Sequence, residues 1–165
     1  MLGGLFNDKS KKQVIITAPI SGKVIDISLV KDEVFAKKMI GDGIAIDPSE
    51  GTVVSPVDGK VKQVFSTGHA VVVESKEGLA ILVHIGLDTV NLKGNGFKIL
   101  VSDGQNIKTG DPIIAFDMEA IRKNHYILQT PIVLPEGSNI SDIEFTKKKY
   151  VNKGKDLLMK VSLSI

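Results

Sequence analysis

The chain has no cysteine, so disulfide scaffolds, cysteine zinc sites and a thiol nucleophile are excluded. It has no dominant charge either: a formal +2 at pH 7 leaves no footprint for nucleic acid. On that background the run Lys147-Lys148-Lys149 reads as a solvated turn or strand edge. No apolar stretch approaches the roughly 20 residues needed to span a bilayer as a helix. The opening Met1-Leu2-Gly3-Gly4-Leu5-Phe6 is too short for a signal-peptide core and soon meets Asp8 and lysines, so a cytoplasmic location is expected. There is no Gly-x-x-x-x-Gly-Lys-Ser/Thr loop, no kinase signature set and no Gly-x-Ser-x-Gly elbow. The chain therefore shows no nucleotide site of its own, and any phosphoryl chemistry has to draw on another phosphorylated molecule.

What is present describes an ordinary globular domain. At 165 residues, 42% apolar and 24% charged, there is enough chain for one well-buried core. Short Val/Ile-rich segments recur between Gly, Pro, Asp and Ser clusters: Val14 to Thr17, Lys23 to Leu29, Gly43 to Ile46, Lys60 to Phe65, Ala70 to Val73, Leu79 to Val83, Pro112 to Phe116 and Leu157 to Leu163. This spacing predicts an all-β fold, an antiparallel β-sandwich or partly closed barrel with very little helix. The one helix expected runs from Met118 to His125, with Asp117 as N-cap and Glu119 in its first turn. Residues 1 to 12 read as a mobile leader and 13 to 165 as a single domain. Leu2, Leu5 and Phe6 allow at most peripheral membrane contact by that leader.

A weak internal repeat adds to the architecture. Ala18-Pro19-Ile20-Ser21-Gly22-Lys23-Val24 is echoed by Ser55-Pro56-Val57-Asp58-Gly59-Lys60-Val61, 37 positions later. Each copy sets a Pro before a tight turn and a Gly where the strand resumes. A third turn-rich stretch, Val101 to Pro112, has the look of the turns in biotinyl and lipoyl carrier domains. Internal duplication of a β unit is the expectation.

Chemistry has to come from the histidines, of which there are three. His69 and His84 stand 15 positions apart, around two apolar segments joined by Glu74-Ser75-Lys76-Glu77-Gly78. The pattern reads as a hairpin. If Glu74 pairs with Leu79, His69 falls directly opposite His84, and the two side chains share a face. Near neutrality one imidazole nitrogen is a lone-pair nucleophile while the other carries a proton. A neighbouring imidazole can donate a hydrogen bond to incoming phosphoryl oxygens or stabilise them as His⁺. Thr67, two residues before His69, is placed to fix its tautomer, and Gly86 offers a carbonyl to the second nitrogen of His84. Asp88 and Thr89 add polar groups at the rim. His125 reads as a polar residue near a helix C-terminus. A protein donor needs an apolar docking surface, for which Val34 and Phe35 are candidates in the turn-rich stretch Asp32 to Gly43; Met39 reads as core.

Several of these segments together resemble a known family. Phe35-Ala36-Lys37-Lys38-Met39-Ile40-Gly41-Asp42-Gly43-Ile44-Ala45-Ile46, Ser55-Pro56-Val57-Asp58-Gly59, Thr67-Gly68-His69-Ala70 and His84-Ile85-Gly86-Leu87-Asp88-Thr89-Val90-Asn91-Leu92-Lys93-Gly94-Asn95-Gly96-Phe97 resemble, in order, the glucose-type enzyme IIA component of the bacterial phosphoenolpyruvate-dependent sugar phosphotransferase system. The resemblance runs from about residue 14 to the end and is looser in the last third. It implies that His84 accepts the phosphoryl group on Nε2, that His69 supports it and that Thr67 orders His69. It also implies a phosphocarrier protein, HPr, as donor and the cysteine of a sugar-specific IIB domain, coupled to a membrane IIC transporter, as acceptor. The matching family contact positions are Val34, Phe35, Phe65, Asp88 and Val90. Gly68 departs from the family, where Asn or another residue is frequent, and leaves the mechanism intact. No cofactor or metal is implied, regulatory binding by the unphosphorylated form is compatible with the relay, and a freestanding, monomeric IIA is expected. The rival reading is a zinc metallopeptidase of lysostaphin-like architecture, because His84-x-Gly86-x-Asp88 fits its His-x-Gly-x-Asp ligand motif. That reading lacks the His-x-His element needed to complete the site.

Overall fold

The protein, described here as a computed structural model over residues 11 to 164, is built almost wholly from antiparallel strands. They are β1 (Lys11–Thr17), β2 (Gly22–Asp26), β3 (Gly41–Pro48), β4 (Thr52–Val54), β5 (Gly59–Val64), β6 (Ala70–Ser75), β7 (Ala80–His84), β8 (Phe97–Ile99), β9 (Asn106–Ile107), β10 (Pro112–Phe116), β11 (Thr130–Pro135), β12 (Ile140–Phe145), β13 (Tyr150–Val151) and β14 (Leu157–Ser164). Two short helices, α1 (Glu33–Ala36) and α2 (Met118–Lys123), complete the list. The strands form an eight-stranded sheet, β13-β2-β3-β11-β7-β6-β5-β9, and two three-stranded sheets, β1-β14-β12 and β4-β10-β8. All-β sandwich architecture with very little helix is therefore what the chain adopts. The leader expected over residues 1 to 12 lies outside the described residues except for Lys11 and Lys12, which open β1.

The sequence repeat is a physical duplication. Thr17 N–H donates to Pro56 O at 3.0 Å, and Val54 N–H, the equivalent group 37 positions on, donates to Pro19 O at 2.8 Å. The next residues follow suit: Ala18 N–H reaches Asp156 O and Ser55 N–H reaches Asp111 O, each at 2.8 Å. Each copy's Gly then starts a strand pressed against its neighbour. A Cβ on Gly22 would lie 2.1 Å from Asp47 O, and one on Gly59 1.9 Å from Glu74 O. These positions are glycine because the facing backbone leaves no room.

Period-two alternation divides the apolar residues into two clusters. Ile44, Ile46, Val71, Val73, Ile81, Val83, Ile132 and Leu134 of the large sheet point into the main core with Val14, Ile16, Val53, Ile113, Ile114, Met159 and Val161 from the other two sheets. Their strand neighbours Ala45, Ala70, Leu82 and Val133 point to the opposite face. There they are covered by Ile27, Val30 and Phe35, from the segment joining β2 to β3. Two positions on from Leu82, His84 falls on this second face and not in the main core.

Differences from the sequence expectations have local causes. The strand expected over Lys23 to Leu29 stops at Asp26, whose carboxylate accepts the Ser28 N–H at 2.9 Å and starts a single 3-10 turn, Ile27–Leu29. α2 ends at Lys123, not His125, which adopts φ +67°. Its N-cap is Asp117, accepting the Ala120 N–H at 3.0 Å. Strand β11, in the middle of the large sheet, is hidden in sequence by Pro131 and Pro135. It pairs with β3 along its length but with β7 only at Ile132 and Val133, so neither proline interrupts the second ladder.

Candidate functional site

The hairpin β6–β7 brings the two histidines together, with a register one residue different from the one expected. Ala70, not His69, lies opposite His84, and Glu74 pairs with Ala80. Ser75 continues the strand: its N–H donates to Leu79 O at 2.9 Å, and its hydroxyl accepts the Leu79 N–H at 3.1 Å. The connection is thereby shortened to Lys76-Glu77-Gly78. The rings still meet because His69 lies outside the regular ladder. It follows Gly68, at φ +72°, in the turn between β5 and β6, and its carbonyl accepts the Ile85 N–H at 2.7 Å. The two imidazoles sit edge to face with centroids 5.1 Å apart.

Phenylalanines flank the pair on both sides. Phe35 of α1 lies 5.0 Å from the His84 ring and Phe65 lies 5.4 Å from the His69 ring, centroid to centroid. Phe35 is buried, and Phe65 is half-buried against the same cluster. Asp32 orders α1 as its N-cap, accepting the Val34 N–H at 2.9 Å and the Phe35 N–H at 3.4 Å. Val34 and Val90 are exposed, and so is Met39, at 65%. Met39 is thus surface and not the core residue its apolar side chain suggests. Asp88 is exposed in the left-handed region at φ +59°, ahead of the 3-10 turn Thr89–Leu92. Its side chain makes no capping bond to that turn.

Hydrogen bonds define which nitrogen of His84 is available. His84 Nδ1 lies 2.7 Å from Gly86 O. A carbonyl only accepts, so Nδ1 carries the proton, and the lone pair of the neutral ring is on Nε2. Gly86 is held in this position: at φ +73°, a Cβ there would meet Thr89 Cγ2 at 2.6 Å and Ile127 O at 3.0 Å. Thr67 Oγ1 lies 2.5 Å from His69 Nδ1. With the hydroxyl donating, the His69 proton sits on Nε2, free to donate toward an anion.

Burial, followed by repulsion from His84, pushes the pKa of His69 down to about 4. Burial also lowers that of His84, outweighing the Gly86 carbonyl and the Asp32 and Asp88 carboxylates, which favour the charged ring. Both rings are therefore neutral at neutral pH, which leaves the Nε2 lone pair of His84 available. An unfolded histidine binds its proton near pH 6.5 and folded His69 only near 4, so between those values the unfolded state holds more protons. Stability is then full above pH 6.5, falls as pH drops toward 4 and levels off below, by on the order of 3 kcal/mol for this ring. The thermal midpoint is expected to fall by on the order of 10 °C between pH 7 and pH 4.5. In His69→Gln calorimetric melts should show a much shallower decline. Parallel declines in the two proteins would show that His69 does not carry the effect.

Neither the Asp32 charge beside His84 nor the exposure of Met39 is among the sequence expectations. The signal for Asp32 was present, as an Asp-Glu pair opening a short apolar turn. Among the described residues no group of three or more His, Asp or Glu side chains is arranged to hold a metal ion. Among them also, no helix is long and apolar enough to cross a membrane.

Comparison with known proteins identifies the family and the fold. Residues 14–140 match the family model described as phosphoenolpyruvate-dependent sugar phosphotransferase system, EIIA 1. The chain is 42% identical over 163 residues to a PTS system glucose-specific EIIA component of Oceanobacillus iheyensis, covering 98% of this chain and 99% of the relative. It is 45% identical over 164 residues to the one of Bacillus cereus, with 99% of each covered. Among solved structures, glucose permease IIA from Mycoplasma capricolum superposes with a TM-score of 0.83 at 36% identity, over 90% of this chain and 96% of that one.

Proposed function

This chain belongs to the EIIA 1 family of the phosphoenolpyruvate-dependent sugar phosphotransferase system, and within that relay we propose that His84 Nε2 is the atom that carries the phosphoryl group. The observation that carries the assignment is the 2.7 Å contact of His84 Nδ1 with Gly86 O, which leaves Nε2 unprotonated and nucleophilic. In the first transfer the Nε2 lone pair attacks phosphorus, the P–N bond of phospho-HPr breaks, and its electron pair returns to the donor imidazole. In the second, a cysteine thiolate of a IIB domain attacks the same phosphorus and the electron pair of the His84–P bond returns to His84. Breaking and forming bonds are alike in the first step, so positioning and charge stabilisation do most of the work.

His69 is the neighbour that receives the phosphoryl oxygens, and Thr67 sets its tautomer. Val34, Phe35, Phe65, Asp88 and Val90 are the proposed partner contacts around it. Phe35 and Phe65 support the two rings from beneath, whereas Val34, Val90 and Asp88 are exposed to meet a partner. As HPr and IIB have to use this one face in turn, a monomer acting in the cytoplasm is the corresponding assembly. Phosphorylation sets about two negative charges on an apolar face, which would release any regulatory target bound by the unphosphorylated form. The zinc-peptidase alternative finds no support in the family or in the site.

The test is incubation with phosphoenolpyruvate, enzyme I and HPr, followed by mass mapping of the modified residue. One acid-labile phosphate on the peptide containing His84 is the expected result. A phosphate on His69 or His125 instead would overturn the assignment, and stoichiometric zinc in the purified protein would revive the rival.

A further inference from the structure

The segment Ile127 to Thr130, which leads into β11 and ends on its first residue, touches both halves of the site. On one side Ile127 O accepts the Leu87 N–H at 2.9 Å, and Thr130 Oγ1 accepts the Gly86 N–H at 3.4 Å while donating to Leu128 O at 2.8 Å. These bonds seat the loop whose Gly86 carbonyl orients His84. On the other side Gln129 Oε1 accepts the Lys31 N–H at 2.9 Å, across 98 positions of chain. Lys31 immediately precedes the Asp32 cap of α1. A helix of four residues has no stability of its own, so its orientation comes from what holds its ends.

We propose that Gln129 is a positioning residue for phosphoryl transfer, tying the docking helix α1 to the loop whose Gly86 carbonyl orients His84. The proposal rests on the reading of His84 as acceptor and of Val34 and Phe35 as partner contacts. Through this tether Phe35 keeps its place 5.0 Å from the His84 ring while Val34 stays exposed beside it. A partner then meets apolar contact and nucleophile in one fixed arrangement, without ordering α1 during docking.

The test compares Gln129→Leu, which removes the acceptor, with Gln129→Glu, which keeps an acceptor oxygen at the same reach. Gln129→Leu is expected to raise KM for phospho-HPr about fivefold, equivalent to ~1 kcal/mol, with kcat little changed. It should also speed exchange of the Lys31 amide and shift the His84 ring-proton resonances as the Phe35 ring moves. Gln129→Glu is expected to restore all three. Unchanged KM in Gln129→Leu, a parallel loss of kcat and thermal midpoint, or equal impairment of Gln129→Glu would each overturn the proposal. Failure of the parent reading shows separately, as wild-type protein that takes no phosphate on His84. In that case the Lys31 exchange rate and the His84 resonances still decide whether the tether exists.

Discussion

His84→Gln is expected to take up no phosphoryl group from phospho-HPr, while still binding HPr with nearly wild-type affinity. A glutamine amide nitrogen has its lone pair delocalised into the carbonyl, so nothing at this position can attack phosphorus. His84 ends β7 on the outer cluster, not in the main core, and among the described residues no other side chain depends on it for a hydrogen bond. The fold should therefore survive, and Val34 and Val90 should still present the proposed docking face. Radiolabel transfer from phosphoenolpyruvate through enzyme I and HPr should leave the variant unlabelled, and titration calorimetry with unphosphorylated HPr should give a dissociation constant within about threefold of wild type, the scale of losing a rim contact. An acid-labile, base-stable phosphate persisting on the variant would remove His84 from the mechanism. Loss of both labelling and binding would instead mean that the substitution has disturbed the face.

Much of this site is legible in the sequence because it depends on local spacing. Gly86 stands two residues after His84, and Thr67 two before His69, so both hydrogen bonds are set within single loops. The hairpin register is less legible. Ser75 looks like a turn residue, but its hydroxyl takes the Leu79 N–H and keeps the strand going for one more pair. A one-residue slip normally reverses which face a side chain occupies. Here the left-handed Gly68 turns the chain so that His69 reaches His84 all the same. Strand β11 and the tether at Gln129 are illegible for a different reason. The first carries two prolines whose tolerance depends on where β7 stops pairing, and the second joins groups far apart in sequence. Met39 shows the limit of reading burial from residue type: an apolar side chain just after a helix of one turn has only one covered side, and Phe35 occupies it.

The unequal roles proposed for the two rings lead to the second large effect. His69 is neutral before transfer, because burial holds its pKa near 4. A phosphoryl group on His84 places negative charge beside the edge of His69 and favours the protonated ring. A proton gained there would give the site a cation to stabilise charge on the phosphoryl oxygens as the IIB thiolate attacks. In His69→Gln the amide retains an N–H donor but has no proton to gain. Acceptance from phospho-HPr should stay within about tenfold of wild type, since a neutral donor suffices there, whereas transfer onward to IIB should fall by about 10²–10³-fold. Rapid-quench measurement of each half-reaction separates the two. Equal losses in both would mean that His69 acts only as a packing partner for His84. Wild-type onward transfer would show that the second ring has no part in the chemistry.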